Sequence, residues 1–427
     1  MLVGRPPRLL FFAYAFPPSR AVGAVRCWNV AKHLARCGWD VEVVTLAPEL
    51  LANPQPGVDV RVNCAREHIR LRSTGCDWMF LTAGHTQLPR PLLRFPAKVV
   101  RQVPKWLGWE PMLGWQAAAV RACAPLRPGD ADMVLASAPP YTGFSAAAIV
   151  AQRLLSPLIL DYRDPWSQNP HRSPLTSRRI RSREAALLTT AQGLTVVSPA
   201  WAENLRREFA FAKPIEVVTN GYDPDEFVAI EPTKFDDFAV VYAGRFYPPK
   251  RTIHPIIAAV VQANKERAQT RPVRLHYFGG DYSHVQSAAA ELGADAWVVN
   301  HGNVSRKNVL AALGGAGAAA VITTIEPTTA QNDMGIIPAK LFEAVGARTP
   351  VLLVSPEVSD ATRLVREHSL GGAFSGSATV AMGQWLAQLS IGSASGSIGN
   401  RERFSWITVG TQLDSFLRKQ LEVKDKP

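Results

Sequence analysis

Short apolar segments alternate with helical stretches along this chain, and the alternation runs through twice. Nothing else in the sequence restricts the fold as much. In the first run, strands are expected at 8–14, 41–46, 58–62, 132–137, 157–161, 194–197 and 215–218. In the second they are expected at 239–243, 273–278, 296–300, 318–323 and 350–354. Strands separated by helical segments imply βαβ units, a parallel sheet and helices on both faces. Between the runs, Asn220-Gly221-Tyr222-Asp223-Pro224 concentrates turn-forming residues and reads as a domain boundary. The 427 residues exceed what one core normally organises, which agrees with two domains of about 200 residues. The expected fold class is α/β with two Rossmann-like halves, and a cleft between such halves is a favoured place for a small ligand.

Leu9 to Phe16 follows Arg5 and Arg8 and has the look of a short signal peptide. A first buried strand explains it better. Pro17-Pro18-Ser19 forms a turn, Cys27, Val30, Ala31 and Leu34 recur at helical spacing, and Gly38 closes that helix. Residues 64–115, rich in Pro, Trp, Arg and Gly, break the rhythm and read as an insertion or lid. A Gly/Ser-rich stretch near 391–399 reads as a loop. Ser405 to Gln420 reads as an amphipathic helix with Trp406, Val409, Leu413, Phe416 and Leu417 on one side.

The net charge of +12 points to an anionic partner. The charge is scattered, however, and no dense basic tract of the kind that makes a nucleic-acid arm is present. Cys27, Cys37, Cys64, Cys76 and Cys123 are odd in number and contain no CxxC pair, so they read as reduced, cytoplasmic thiols. The histidines show no metal-ligand spacing, and no apolar run reaches the length of a transmembrane helix. The first strand is followed by no GxGxxG, which argues against a dinucleotide oxidoreductase.

Two segments of the second run carry chemistry. Asp333-Met334-Gly335-Ile336-Ile337-Pro338-Ala339-Lys340-Leu341-Phe342-Glu343 reads as a loop entering a helix, with Pro338 at its first position. Gly335, Ile336 and Ile337 would offer backbone N–H groups at the helix's positive end, which suits a phosphate. Lys340 and Glu343, three apart, share one face: a cation near the phosphate and a carboxylate for ribose hydroxyls. The plain alternative is a capped surface helix with an ion pair. The second segment is Gly244-Arg245-Phe246-Tyr247-Pro248-Pro249-Lys250-Arg251, directly after the strand at 239–243. Ligands of open α/β sheets bind beyond the carboxyl ends of strands, where Arg245, Lys250 and Arg251 would stand. The plain alternative here is a solvated basic loop, and the position argues against it.

These segments together resemble the GT-B glycosyltransferases, specifically the large retaining group known as glycosyltransferase family four. The resemblance runs from Phe16-Pro17-Pro18-Ser19, Gly23 and Arg26 through Ser137-Ala138-Pro139-Pro140 and Asp161-Tyr162-Arg163-Asp164-Pro165-Trp166. It continues through Asn220-Gly221-Tyr222-Asp223, Gly244-Arg245 with Lys250-Arg251, His301-Gly302-Asn303-Val304 and Pro338 to Glu343. The resemblance implies two Rossmann-like domains facing a cleft, with a C-terminal helix returning to the N-terminal domain. Residues 1–222 would bind the acceptor, 223–404 the nucleotide sugar, and 405–427 would pack back on the first domain. It implies a nucleoside-diphosphate sugar as donor, a lipid-linked or glycan acceptor, and no metal. Arg245, Lys250, Arg251 and Asp164 would be catalytic. Gly23, Gly244, Arg245, Gly302, Val304, Gly335, Ile336, Ile337, Lys340 and Glu343 would hold the donor. Pro140, Tyr141, Arg163, Asp164 and Trp166 would meet the acceptor.

Two positions depart from the family pattern. Gly335 stands where a second glutamate is usual, and Phe144 where many members carry a histidine. They keep a non-catalytic GT-B scaffold in view, beside a nucleotide-sugar epimerase on a similar frame. Trp106, Trp109 and Trp115 lie among Arg90, Arg94, Lys98, Arg101 and Lys105, a composition able to lean on an anionic membrane. A part-buried insertion is the preferred reading. His301 reads as a satisfied strand-end histidine, and Asp281 as either a turn residue or a neighbour of the sugar.

Overall fold

The computed structural model describes residues 5–51, 53–75, 113–169, 174–265, 271–326, 331–392 and 399–424. The chain forms two compact units, one of Met1–Thr219 with Val409–Pro427, the other of Asn220–Thr408. In the first unit β1 (Arg8–Phe12), β2 (Asp40–Leu46), β3 (Arg70–Thr74), β4 (Met133–Ala138), β5 (Leu158–Tyr162), β6 (Gly193–Val196) and β7 (Ile215–Val217) make one sheet. Its order is β3-β2-β1-β4-β5-β6-β7 and its pairings are parallel. Chain order reverses between β1 and β4. These central strands are the apolar ones: Leu9 to Phe12 and Met133 to Ala136 are buried, as strands covered on both faces must be. Leu9 to Phe12 thus form the expected first buried strand, and β1 is an inner strand of the sheet.

Two expectations fail in this unit. Residues 58–62 form no strand. The alternation in Val58-Asp59-Val60-Arg61-Val62 imitates one, but Asp59 caps a helix over Val60–Arg66, accepting from the N–H of Arg61 at 2.9 Å and of Val62 at 3.2 Å. Nor is 64–115 wholly an insertion, because it contains edge strand β3. Trp115 is a core residue, fully buried, its indole N–H bonded to Thr74 at 2.9 Å. Trp106, Trp109 and the basic residues from Arg90 to Lys105 lie outside the described residues, as does Cys76.

A buried ion pair ties this unit together. Arg26, 4% exposed, reaches Asp161 through Nε at 3.1 Å and Nη2 at 2.7 Å, and donates to the carbonyls of Val218 and Thr219. Ser137 and Thr195 complete the carboxylate's hydrogen bonds. Burial alone would raise Asp161, but Arg26 and the two hydroxyls hold its carboxyl below the ordinary value. The residues from Val409 of the helix Trp406–Lys424 pack on this unit. Asp414 accepts from the Trp39 indole at 2.6 Å, and Trp406, Val409, Leu413, Phe416 and Leu417 are all buried.

The second unit repeats the plan with β8 (Phe238–Ala243), β9 (Val273–Phe278), β10 (Val298–Gly302), β11 (Ala318–Ile322), β12 (Val351–Val354) and β13 (Gly371–Phe374). The order is β10-β9-β8-β11-β12-β13, again parallel, with reversal between β8 and β11. Strand β13 was not expected; its four residues include two glycines and none is buried. Among the described residues no helix is long and apolar enough to cross a membrane.

Candidate functional site

Each sheet reverses its strand order once, and at each reversal the loops leaving the carboxyl ends of two neighbouring strands diverge, leaving room for a ligand. The residues singled out in the sequence fall at both places.

In the second unit the loop after β8 is stitched across the reversal. The N–H of Ile325, beyond β11, donates to the Lys250 carbonyl at 2.8 Å, and Arg251 Nε donates to the Thr323 carbonyl at 3.4 Å. Tyr242 Oη donates to the Arg245 carbonyl at 3.0 Å, and Asp281 accepts from the Phe246 N–H at 3.1 Å. Asp281 therefore holds the loop from below. Gly244 has φ +131°, a conformation that side chains resist, and a Cβ there would collide with Lys340 Nζ. That contact brings the two chemistry-bearing segments together.

Lys340 belongs to the helix Ala339–Gly346. Pro338 is its N-cap and not its first residue, with Ala339 beginning the helix. The Lys340 ammonium lies 4.7 Å from the centre of the Tyr242 ring. Burial, then the Arg251 charge, push it down to about 8, with Glu343 pulling the other way. Among the described residues neither Lys340 nor Arg245 has a carboxylate partner within ion-pair distance. Lys250 is different. Its ammonium bonds to buried Asp333 at 2.7 Å, tying the loop to the segment before Pro338. Ile336 donates its N–H to the Asp333 carbonyl at 3.3 Å, while Gly335 and Ile337 are buried beside it.

Glu343 stands one turn beyond Lys340, and Arg306 Nη1 reaches its Oε1 at 2.5 Å. Arg306 also grips Glu226 with two bonds, at 2.8 and 2.9 Å. Neither partner was singled out in the sequence; only a pairing across 80 and 37 positions reveals them. Gly302 ends β10 past a bulge, accepting from the Gly279 N–H at 2.9 Å, and Val304 follows half-buried. His301, the bulged residue, stacks on Phe278 and bonds to His276, which bonds to Asp237 at 3.0 Å. Burial holds both imidazoles below the ordinary value.

In the first unit, a Cβ on Gly23 would fall on the Arg163 guanidinium, which donates to the carbonyls of Ala138 and Pro139. Tyr141 stacks on Trp166 with centroids 4.7 Å apart and donates to the Asp164 carbonyl at 2.6 Å. Pro140, Tyr141, Phe144 and Trp166 are all buried, so this group supports the loop from beneath. Only Arg163 and Asp164 keep substantial surface. Desolvation by the surrounding chain raises the Asp164 carboxyl to about 6, against the pull of Arg163. A depression of about 580 Å³ lined by Pro157, Gln192, Lys213, Pro214 and Gln420 lies at the amino ends of β5 to β7, the wrong end of the sheet for a ligand of this fold.

Residues 23–221 match the family model described as Glycosyl transferase 4-like domain. No curated protein matches the chain by sequence. Among solved structures, the chain is similar to sucrose-phosphate synthase (tll1590) from Thermosynechococcus elongatus, with TM-score 0.62 and 15% identity, covering 98% of this chain and 100% of that one. It is also similar to Anabaena Alr3699/HepE, solved with UDP and glucose, with TM-score 0.60, 15% identity and coverage of 97% and 100%. The apo form of the lipopolysaccharide outer core galactosyltransferase WaaB aligns with TM-score 0.55, 14% identity and coverage of 97% and 99%.

Proposed function

We propose that this chain, which has the GT-B fold and matches a glycosyl transferase 4-like domain over residues 23–221, is a glycosyltransferase that moves a sugar from a nucleoside-diphosphate sugar to an acceptor hydroxyl. One observation carries the reading: the Lys340 ammonium lies against Gly244, with Glu343 one helical turn behind it. Unpaired cations and a carboxylate thereby stand together at the carboxyl edge of the second sheet. HepE, of the same fold, was solved with UDP, which supports a nucleotide at this edge.

The chemistry follows from charge. Breaking the anomeric C–O bond leaves negative charge on the nucleoside diphosphate and positive charge on the sugar. Arg245, Arg251 and Lys340 supply fixed positive charge for the leaving group, which makes a metal unnecessary. Lys250 acts through the loop it anchors to Asp333. Glu343 accepts from ribose hydroxyls, and the turn of Gly302 and Val304 backs the base. Attack from the same face as departure, with the leaving phosphate oxygen taking the acceptor's proton, gives a retained configuration. The acceptor belongs at Arg163 and Asp164 of the first unit, and the product is a cell-surface polysaccharide or glycoconjugate carrying a hexose or N-acetylhexosamine. The setting is cytoplasmic, with peripheral contact to an anionic membrane supported by the net charge of +12.

Screening UDP-, GDP-, ADP- and TDP-sugars for acceptor-dependent nucleotide release tests the reading. Arg245→Ala is expected to lower turnover about 10²- to 10³-fold, as for other preorganised charge-stabilising groups. Full turnover in both Arg245→Ala and Glu343→Ala contradicts the assignment, and product formation without any acceptor favours an epimerase.

A further inference from the structure

Arg306 opens the helix Arg306–Gly315, whose N-cap Ser305 accepts from the Asn308 N–H at 3.2 Å. Its guanidinium is divided between two carboxylates. Nε and Nη2 make paired bonds to both oxygens of Glu226, at 2.8 and 2.9 Å, and this two-point grip fixes the plane of the group. The remaining arm, Nη1, meets Glu343 Oε1 at 2.5 Å. Glu226 is itself placed by the short turn Pro224–Phe227, capped by Asp223, which accepts from the Asp225 N–H at 3.1 Å. Burial would lower the guanidinium's pKa, but Glu343 and Glu226 outweigh it and raise it, so its charge is permanent.

Among the described residues Glu343 Oε2 takes part in no hydrogen bond. One oxygen is thus fixed and the other left as an acceptor, on the helix face that also carries Lys340. A free glutamate has three rotatable bonds to order when it grips a ligand, and holding one oxygen beforehand removes part of that entropy cost.

We propose that Arg306, anchored by Glu226, is the positioning residue that fixes Glu343 to discriminate ribose hydroxyls of the bound nucleotide. The inference rests on the donor site described above. It adds a division of labour to it. Arg245 and Lys340 set how tightly any nucleoside diphosphate binds, while Glu226, Arg306 and Glu343 set how strongly a ribonucleotide is preferred over its deoxy form.

The test is calorimetric titration of the full chain with UDP and with its 2′-deoxy and 3′-deoxy counterparts. The unaltered protein is expected to bind UDP about tenfold to a hundredfold more tightly than at least one deoxy form, the range for a hydrogen bond to a charged group. Arg306→Gln and Glu226→Gln are expected to bring that ratio towards one by weakening UDP alone, and Arg306→Lys, which keeps charge but not the fork, to fall between. Arg245→Ala is expected to weaken all three nucleotides and preserve the ratio. Thermal unfolding of each variant separates folding from recognition, and Glu226→Gln carries the test where Arg306→Gln does not fold. An unchanged ratio in a folded variant overturns the proposal. So does a ratio that rises because UDP binds more tightly, since Arg306 would then compete with ribose. If the unaltered protein binds neither UDP, GDP nor ADP, the donor-site reading falls, and this inference with it.

Discussion

The two units share a topology and treat its reversal point in opposite ways. In the first, the arginine beside β1 and β4 is bonded to the chain itself. Arg163 lies over Gly23 and bonds to backbone carbonyls, above the stacked rings of Tyr141 and Trp166. In the second, two of the cations beside β8 and β11, Lys340 and Arg245, have no carboxylate within ion-pair distance among the described residues. Lys340 faces Gly244 and a ring, and Arg245 is exposed. A half-buried ammonium without a counter-ion is costly, and Lys340's depressed pKa records that cost. An anionic ligand would relieve it. The same fold thus spends polar groups on its own structure in one unit and, among the described residues, leaves two cations without a carboxylate partner in the other.

The sharpest way to break the contrast is Arg26→Ala. It leaves Asp161 as a buried charge without its partner, and the expected loss is about 3–5 kcal/mol of stability in chemical denaturation. Nucleotide affinity at the second unit, measured where the variant remains folded, should be unaltered. Lys340→Met should do the reverse, lowering nucleoside-diphosphate affinity about tenfold to a hundredfold with little loss of stability. Its pH dependence is distinctive. The diphosphate prefers the protonated amine, so affinity is full below the free-state pKa of about 8 and declines as pH rises through it. Lys340→Arg should remove that decline, because a guanidinium stays charged; a decline that persists in this variant assigns the titration elsewhere. The smallest effect is expected from Tyr141→Phe. Losing the bond to the Asp164 carbonyl should cost about 1 kcal/mol of stability and change no nucleotide affinity.

What the sequence made legible follows from range and burial. Strands β1, β4, β8 and β11 announced themselves because an inner strand of a parallel sheet must be apolar throughout. Edge strand β3, Arg70-Leu71-Arg72-Ser73-Thr74, has only Thr74 buried and carries no such signal. The imitation strand at 58–62 shows a one-residue device, the Asp59 cap, overruling alternation. At the candidate site, the residues of each segment could be read from loop and helix chemistry. Their partners could not: Asp333 for Lys250 and Arg306 for Glu343 are joined only by folding. Sequence therefore suggested Lys250 as a ligand cation without showing that it also pairs with Asp333.

Hydrogen–deuterium exchange of the full chain with and without UDP and GDP puts the contrast between the two units to the most direct test. The account predicts ligand-dependent protection at residues 244–251 and 333–343, with none at 138–142 and 163–166. Protection confined to the first unit's segments, with 244–251 unaffected by a nucleotide that binds, would contradict it.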